Sequence, residues 1–389
     1  MIPLAAVAAA SFAVWILMVV RRGGFWRTDV RLSGVSMRPP DPPPKVVAVI
    51  PARDEAETIG AAVASLLIQN YPGLAAVIVV DDNSADGTAE SARAVARHDD
   101  RLSVISCPSL PEGWSGKVWA QHQGIKAAVA AIPDADYFLL TDADVEHERD
   151  NLFKLVAKAE SEGRDLVSLL VRQNTEGPWA RLLIPAIVFF FQKLYPFNWI
   201  NDPERPTAGA AGGCMLVYRQ ALEVVGGVER VRNNLIDDCA LATVMQQNGS
   251  IWLGLSEHSL CLRRYGGLGD IWKMVARTSY EQLNHSTMAV FASTVGMALL
   301  YIAPPMCFVA GLLTGDGTAT SMSFLALCLM MLAYMPTLGF YGESKWRAFL
   351  LPVAAILYML MTLDSVRLAL RGIGSQWKGR NYPPEGPVA

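Results

Sequence analysis

Residues 45–55 of the chain read KVVAVIPARDE, an apolar, mostly β-branched run that ends in a proline and a group of charged side chains. A short continuous apolar run closed by such a break is typical of a strand buried on both faces. Strands of this kind belong to parallel sheets whose two faces are covered by helices. The stretch therefore predicts an α/β fold.

Strand and helix patterns alternate after this first strand. Helical periodicity is found at residues 57–69 and 85–96, and further strand patterns at 75–80 and 137–140. The βαβαβ order predicts a Rossmann-like, mostly parallel sheet. Ligands of such sheets bind at the carboxyl ends of the strands.

Charged and polar side chains follow each predicted strand at that same edge. The clusters are Arg53-Asp54-Glu55, Asp81-Asp82-Asn83-Ser84 and Asp142-Ala143-Asp144, after the first, second and third strands. Their register on successive strands predicts one ligand site. A dinucleotide-binding oxidoreductase would instead need a GxGxxG turn, which the first strand end lacks.

The Asp142-Ala143-Asp144 cluster has the chemistry that a nucleoside diphosphate requires. Carboxylates two residues apart on an extended segment point to the same side. One can hold a ribose hydroxyl while the other binds Mg²⁺ or Mn²⁺, hard cations that prefer oxygen ligands. Each cluster taken alone has an ordinary alternative, since aspartates after strands also cap helices and close turns. For Asp81 and Asp82 that alternative stays open.

Long apolar segments flank this region. Residues 2–20 carry no charge and end at a pair of arginines, which predicts a retained membrane anchor with the following residues in the cytoplasm. Residues 286–313 and 321–342 are uncharged over a spanning length, and 348–363 form a shorter third run closed by charges. We therefore expect a multi-pass protein of a bacterial-type inner membrane.

Two membrane assignments stay open. Residues 182–191 are apolar over only about half a spanning length. Their aromatic content and the flanking Arg181 and Lys193 predict an interfacial element at about 180–200, with an ordinary buried helix as the alternative. A crossing by 348–370 would place the basic tail outside, against the positive-inside tendency.

The composition excludes some classes of protein. The chain has 389 residues, is 52% apolar and carries a net charge of −3, which indicates a membrane protein without a nucleic-acid footprint. Its six cysteines show neither a CxxC pair nor metal-ligand spacing. This pattern is typical of a reduced, cytoplasmic protein.

The segments divide the chain into five parts. In order we expect a transmembrane anchor (1–22), a Pro-rich linker (23–44), a cytoplasmic catalytic domain (45–284), transmembrane helices (285–370, at about 286–313, 321–342 and 348–370) and a basic tail (371–389). The length of the third part suits one large globular domain.

Five motifs occur in order through the predicted catalytic domain. They are VIPARDE (49–55), VVDDNSADGT (79–88), TDAD (141–144), AGAAGGCMLVYRQALEVVGG (208–227) and IDDCALA (236–242). With these motifs the chain resembles the inverting, nucleotide-sugar-dependent family 2 glycosyltransferases of GT-A fold. Within that family, LPEGWSGKVWAQHQG (110–124) and WKGRNY (377–382) are similar to the hopanoid-biosynthesis-associated enzymes.

The resemblance implies a donor site. The matching positions are Pro51, Arg53 and Glu55 at the uracil or ribose, Asp81 and Asp82 at the base, and Lys117 at the diphosphate. Asp142 and Asp144 would bind ribose and metal, with Asp144 as the principal ligand of Mg²⁺ or Mn²⁺. The donor implied is a nucleotide sugar, in the first instance a UDP-sugar.

The resemblance also implies a catalytic base. Asp238 would take this role, with Asp237 beside it where the family more often has Glu. Inverting transfer requires a carboxylate on the face opposite the leaving group, to accept the proton of the acceptor hydroxyl. A helix N-cap ahead of residues 239–247 is the alternative for this pair.

One family element departs from the pattern. Relatives carry a Q/R-x-x-R-W element after the base, whereas the nearest stretch here, residues 272–278, lacks the tryptophan. Arg277 would still serve the donor phosphates, with contact to lipid headgroups as the alternative. The missing tryptophan argues against a polymerising synthase.

Together these features predict an enzyme that moves a single sugar to the hydroxyl of a membrane lipid, with a hopanoid suggested by the resemblance alone. Another lipid acceptor, such as a glycerolipid, a sphingoid or polyprenyl phosphate, is the enzymatic alternative. A non-catalytic membrane scaffold is the alternative of another class. The acidic residues retained at every expected position argue against it.

Overall fold

The computed structural model describes residues 3–32, 41–96, 99–372, 375–378 and 380–382. Parts of the predicted linker and of the predicted tail lie outside these residues. The chain separates into two compact units. The sheet unit comprises the described residues of Asp29–Asn174 and Trp199–Arg263, and the helical unit those of Met1–Thr28, Thr175–Asn198 and Arg264–Ala389. The predicted division into five parts stays a prediction.

Eight strands form the sheet of the sheet unit. They are β1 (Val46–Ala52), β2 (Leu74–Asp81), β3 (Leu102–Ser106), β4 (Tyr137–Thr141), β5 (Val145–Glu146), β6 (Leu166–Arg172), β7 (Cys214–Tyr218) and β8 (Ile251–Cys261). Their order across the sheet is β3-β2-β1-β4-β7-β6-β8-β5. A separate hairpin joins β9 (Ser375–Trp377) to β10 (Arg380–Tyr382).

The first strands pair in parallel, as the βαβαβ pattern predicts. β1 lies between β2 and β4, β2 pairs with β3, and β6 pairs in parallel with β8. β7 is inserted between β4 and β6 antiparallel to both, and β5 is antiparallel to β8. All seven residues of β1 are buried, which explains its continuous apolar run. The predicted α/β fold with a mostly parallel sheet is confirmed, and the carboxyl ends of β1, β2 and β4 share one edge.

The helices surround this sheet or form the helical unit. In chain order they are α1 (Leu4–Arg21), α2 (Ile59–Leu67), α3 (Thr88–Val95), α4 (Gly116–Ala131), α5 (Asn151–Glu162), α6 (Pro178–Leu194), α7 (Phe197–Ile200), α8 (Arg219–Val224), α9 (Asp237–Gln246), α10 (Leu268–Gln282), α11 (Thr287–Met297), α12 (Ala303–Thr314), α13 (Gly317–Phe340) and α14 (Leu351–Leu370). Two 3-10 turns, Val228–Val231 and Lys345–Leu350, and a π-helical turn, Ala298–Ile302, complete the described helical elements.

Helix α4 carries a predicted site residue to the strand-end edge. Ser115 is its N-cap, since its side chain accepts a hydrogen bond from the Val118 N–H at 3.4 Å. Gly124 lets the helix pack closely on the sheet, because a Cβ at that position would lie 2.9 Å from a methyl group of Val80. The first turn of α4 therefore places Lys117 above the ends of the parallel strands.

Five segments of the described residues are long and apolar enough to cross a membrane. They are Leu4–Arg21, Pro178–Ile200, Thr287–Thr314, Gly317–Phe340 and Lys345–Leu370. Asp364 and Arg367, expected to close the third C-terminal run, lie inside α14, where Arg367 Nε donates to Asp364 Oδ1 at 2.7 Å. In an 18-residue window of Pro178–Ile200, 61% of the residues are buried, against 17–44% in the windows of the other four segments, and the interfacial element expected at about 180–200 stays a prediction.

Two prolines lie in the 286–313 run, and the chain stays helical through them. Pro304 and Pro305 lack the N–H groups that would bond to carbonyls one turn earlier. The π-helical turn lies directly before them, and the carbonyls of Leu299 and Leu300 accept instead from Ser11 Oγ at 2.7 Å and Trp15 Nε1 at 2.8 Å. Side chains of α1 thus satisfy main-chain groups that an apolar surrounding would otherwise leave unpaired.

Candidate active site

The loops after β1 and β2 hold one another in place. Arg53 Nη1 donates to the main-chain carbonyl of Asp82 at 2.5 Å and lies 3.9 Å from its carboxylate. Asp82 is completely buried, so the guanidinium supplies the opposite charge that a buried carboxylate needs. The Ala85 N–H also donates to Asp54 Oδ1 at 2.9 Å. The structure thus brings together Arg53 and Asp82, which the sequence predicts to contact the donor.

The other residues predicted at the nucleoside lie in the same strand ends. Asp81 Oδ1 accepts from the Ser84 N–H at 3.3 Å, so the turn-forming alternative is observed for this side chain. Pro51 is buried inside β1, and the Glu55 N–H donates to Thr88 Oγ1 at 2.8 Å. Their contacts with a nucleoside stay predictions.

Asp142 and Asp144 lie in a turn between β4 and β5. The Val145 N–H donates back to the Asp142 carbonyl at 3.4 Å. The expectation that Asp142 and Asp144 lie on an extended segment is wrong. The chain turns between them, and β5 then pairs with β8. Asp142 Oδ1 lies 2.9 Å from Lys117 Nζ. Asp144 Oδ2 lies 2.9 Å from Arg263 Nε, so each carboxylate has its own cation.

The Asp144 carboxylate is buried, and Arg263 stabilises its ionised form. Burial raises the pKa of Asp144, while the guanidinium of Arg263 opposes that rise. The Leu262 N–H donates to the Asp144 carbonyl at 2.7 Å, which fixes the segment after β8 beside the turn. Arg263 could not be predicted as a site residue, because its closeness to Asp144 depends on the pairing of β5 with β8. The sequence signal for it is weak: a pair of arginines directly after Leu260-Cys261-Leu262.

Lys117 joins two acidic pairs, the donor-side pair Asp142–Asp144 and the base-side pair Asp237–Asp238. Its Nζ lies 3.5 Å from Asp237 Oδ2 in addition to its contact with Asp142. Burial lowers the pKa of Lys117, but the neighbouring carboxylates outweigh burial and hold the pKa above its ordinary value. The group therefore stays an ammonium ion at neutral pH.

Main-chain groups hold Asp238. The Gly212 N–H donates to Asp238 Oδ2 at 2.7 Å, and the Cys239 N–H donates to Asp238 Oδ1 at 2.8 Å. Helix α9 begins at Asp237 and its N-cap is Ile236, so the capping arrangement considered for this pair is not found. Burial and the neighbouring Asp237 raise the pKa of Asp238 to about 6. Asp238 is thus a carboxylate suited to accepting a proton near neutral pH.

The donor-side pair fits a hard divalent cation. Carboxylate oxygens are the ligands that Mg²⁺ and Mn²⁺ prefer, and Asp144 already stabilises a positive charge at its buried carboxylate. Within the part of the chain that the structure describes, no three His, Cys, Asp or Glu side chains form a metal site by themselves. The remaining ligands would have to be phosphate oxygens and water, as is usual for Mg²⁺ in phosphate-binding enzymes.

His147 and Arg277 are not among the residues that contact Lys117 or Arg263 in the interactions described above. His147, three residues after Asp144, is buried, and its ring nitrogens lie 2.9 Å from Thr141 Oγ1 and 3.1 Å from Asn151 Nδ2. Burial lowers the pKa of His147 to about 4, so the ring is a neutral member of a hydrogen-bond network. Arg277 lies in α10 of the helical unit, and its contact with phosphates stays a prediction.

Comparison with known sequences gives two matches. Residues 47–226 match the glycosyl transferase family 2. Over 130 residues the chain is 32% identical to the succinoglycan biosynthesis protein ExoA of Rhizobium meliloti, a stretch that covers 33% of this chain and 36% of that protein. The match thus spans about a third of the length of the curated relative.

Among solved structures, the chain is similar to the mannosyltransferase PcManGT from Pyrobaculum calidifontis in complex with GDP-Man and Mn²⁺. The TM-score is 0.51 at 17% identity, over 93% of this chain and 99% of that chain. At this identity the likeness shows the fold. Residues 47–226 are therefore a family 2 glycosyltransferase domain with a GT-A-like fold, which confirms the predicted family and enzyme class at the level of this domain.

Proposed function

We propose that this chain, whose residues 47–226 form a family 2 glycosyltransferase domain, transfers a single sugar from a UDP-sugar to the hydroxyl of a membrane lipid. The observation that carries the proposal is that Lys117 contacts Asp142 of the donor-side pair and Asp237 of the base-side pair. Such a transferase needs one acidic site for the donor diphosphate and its metal, and a second for the acceptor proton. The sheet unit holds both around one ammonium group.

Asp238 has the properties of the base in this reaction. Two main-chain N–H groups fix its carboxylate, and a pKa of about 6 keeps it ionised at neutral pH. As Asp238 accepts the proton of the acceptor hydroxyl, the acceptor oxygen bonds to the anomeric carbon and the bond from that carbon to the phosphate oxygen breaks. The nucleoside diphosphate leaves with the electron pair, and Lys117 stabilises its developing charge.

The donor would lie along the strand-end edge. Arg53, Asp82 and Glu55 would surround the nucleoside, and the diphosphate would lie near Lys117. A divalent metal, Mg²⁺ or Mn²⁺, held by Asp144 with Asp142 beside it would neutralise the departing diphosphate. The complex of the similar mannosyltransferase with GDP-Man and Mn²⁺ supports a nucleotide-diphosphate donor and a divalent metal here.

The apolar helices support a lipid acceptor and a bacterial-type inner membrane. Asp142 and Asp237 both contact Lys117, which argues against a single crossing by Pro178–Ile200, because one crossing would separate the two aspartates. The paired arginines after α1 favour a cytoplasmic catalytic domain. An enzyme anchored in this way meets its acceptor at the membrane surface.

Two acceptors are supported by separate observations. A hopanoid is the first to test because of the sequence resemblance at 110–124 and 377–382. Polyprenyl phosphate is the second, because the 32% identity of part of the chain to a succinoglycan biosynthesis protein suggests a role in polysaccharide biosynthesis. Both are membrane lipids, so either would reach the active site from the bilayer.

The test is incubation of membranes that contain the full chain with a panel of labelled nucleotide sugars, followed by lipid extraction. We expect label from one UDP-sugar to enter the lipid fraction with the wild type and not with Asp144→Ala. Asp134→Ala is the matched control, since Asp134 is an exposed carboxylate paired with Lys45, and it should keep full transfer.

Thermal shift of the purified chain separates the two halves of the proposal. UDP with Mn²⁺ should raise the melting temperature of the wild type but not of Asp144→Ala, because a ligand stabilises the state that binds it. An unchanged wild-type melting temperature would overturn the donor site. A shift without any labelled lipid would overturn transfer and leave the scaffold alternative.

A further inference from the structure

The guanidinium of Arg263 lies where the proposed function requires a divalent cation. Its Nε is 2.9 Å from Asp144 Oδ2, and its Nη2 is 3.4 Å from Glu55 Oε1. One cation thus neutralises two carboxylates, of which Asp144 is the proposed metal ligand and Glu55 a proposed donor contact. A metal ion at the same carboxylate oxygen would repel the guanidinium, since like charges a few Å apart interact strongly away from bulk water.

Hydrogen bonds hold the main chain near Arg263, whereas its side chain is partly exposed to solvent. Pairing of Val145 with Cys261 and the hydrogen bond from the Leu262 N–H to the Asp144 carbonyl, at 2.7 Å, hold the backbone beside the turn. The side chain of Arg263 is 40% exposed, whereas that of Asp144 is 7% exposed. Rotation about side-chain bonds is therefore enough to move the guanidinium into solvent. The buried carboxylate, however, must keep a positive partner.

We propose that Arg263 is an internal competitor for the metal. Its guanidinium occupies the Asp144 carboxylate in the nucleotide-free enzyme and is displaced when a divalent cation arrives together with the donor diphosphate. The inference rests on the proposed donor site and adds an order of binding to it. Metal alone binds weakly because it must displace Arg263 unaided, whereas the diphosphate both ligates the metal and offers the guanidinium a new anionic partner.

Removal of Arg263 would change the affinity for metal in opposite directions, depending on whether its guanidinium competes with the metal or only supports Asp144. If Arg263 only supported the position of Asp144, its removal would disorder the carboxylate and weaken metal binding. If Arg263 competes with the metal, its removal frees the carboxylate and strengthens metal binding. The affinity for metal in the absence of nucleotide therefore distinguishes the two roles.

The experiment is a titration of the full chain in detergent micelles with Mn²⁺, with free Mn²⁺ measured by electron paramagnetic resonance. Without nucleotide, Arg263→Gln should bind Mn²⁺ about fivefold more tightly than the wild type, the magnitude of a partly exposed ion pair. Arg264→Gln is the matched control, since Arg264 is the adjacent residue, is 80% exposed and pairs with Glu176. Its Mn²⁺ affinity should equal that of the wild type.

The same Mn²⁺ titration is then repeated in the presence of UDP. The gain in Mn²⁺ affinity on adding UDP should be larger for the wild type than for Arg263→Gln, since the variant has no competitor to displace. Equal or weaker Mn²⁺ binding by Arg263→Gln, with a wild-type melting temperature, would overturn the inference and leave the proposed function intact. Failure of the wild type to bind Mn²⁺ even with UDP would overturn the metal part of the proposed function. If Arg263→Gln does not fold, Arg263→Met, which also removes the positive charge, allows the same comparison.

Discussion

The donor-side pair Asp142–Asp144 and the base-side pair Asp237–Asp238 are held in different ways. In the donor-side pair, each carboxylate contacts the cationic head of a long side chain. In the base-side pair, Asp238 accepts hydrogen bonds from two main-chain N–H groups. Side-chain cations can be exchanged for ligands, whereas main-chain donors stay in place.

This difference matches what each pair would have to do in sugar transfer. A donor site must release its cations to a metal and a diphosphate in every cycle. A base must keep one position relative to the reacting carbon, because small displacements of a catalytic group are costly. Lys117 contacts both pairs, so it is the residue whose removal affects both.

The largest effect is expected from Asp238→Asn. Loss of the base should lower the transfer rate about 1,000-fold, within the range for general base catalysis. The amide oxygen can still accept from one of the two main-chain N–H groups, and the donor-side pair is unaltered, so the affinity for UDP with Mn²⁺ should be unchanged. Transfer assays and UDP binding by calorimetry measure the two quantities. Asp202→Asn, at an exposed pair with Arg205, is the control and should leave both unchanged.

A residual rate close to that of the wild type would show that Asp238 is not the base. Equal losses of UDP binding and of transfer would show instead that the two pairs are not separate sites.

The parallel half of this site follows from the sequence. Strands β1, β2 and β4 end where apolar runs give way to charged residues, and the carboxyl ends of neighbouring parallel strands share an edge. The contact of Arg53 with Asp82 follows from that arrangement alone. The position of the acidic clusters at this edge could therefore be predicted from these strands alone.

The antiparallel half could not be predicted. Arg263 reaches Asp144 because β5, a strand of two residues, pairs with β8, and a strand of that length has no periodicity to recognise. The same pairing turns Asp142–Asp144 away from the extended form that local spacing favours. Gly212 belongs to the motif at 208–227, and only the structure places it against Lys117.

The next largest effect is expected from removal of the cation that both pairs share, Lys117. Lys117→Met should lower transfer at pH 7 about 100-fold, since a cation placed at developing charge contributes about that much. It should also shift the pH dependence. In the wild type, kcat/KM should rise with pH through about 6, because Asp238 must be ionised to act. Lys117 favours the ionised form of Asp238, so its loss raises that pKa and moves the rising limb to higher pH.

Lys126→Met, an exposed lysine on the same helix, is the control for this prediction and should leave rate and pH dependence unchanged. A loss of rate with an unmoved limb would mean that Lys117 serves the donor-side pair alone, and the link between the pairs would be wrong.

The smallest effect is expected from Gly212→Ala, which tests how tightly Lys117 and Asp238 are packed. A Cβ at residue 212 would lie 2.9 Å from Lys117 Nζ and 3.3 Å from Asp238 Oδ2. The flexible lysine can move by a few tenths of an ångström, less than the 1 Å displacement that costs about 100-fold, so we expect roughly a fivefold loss in kcat. Gly213→Ala is the matched control, because its Cβ would meet only valine methyl groups, at 3.1 Å or more, and should alter the melting temperature rather than kcat. Equal kcat for the two variants would mean that the close packing of residue 212 against Lys117 and Asp238 has no part in transfer.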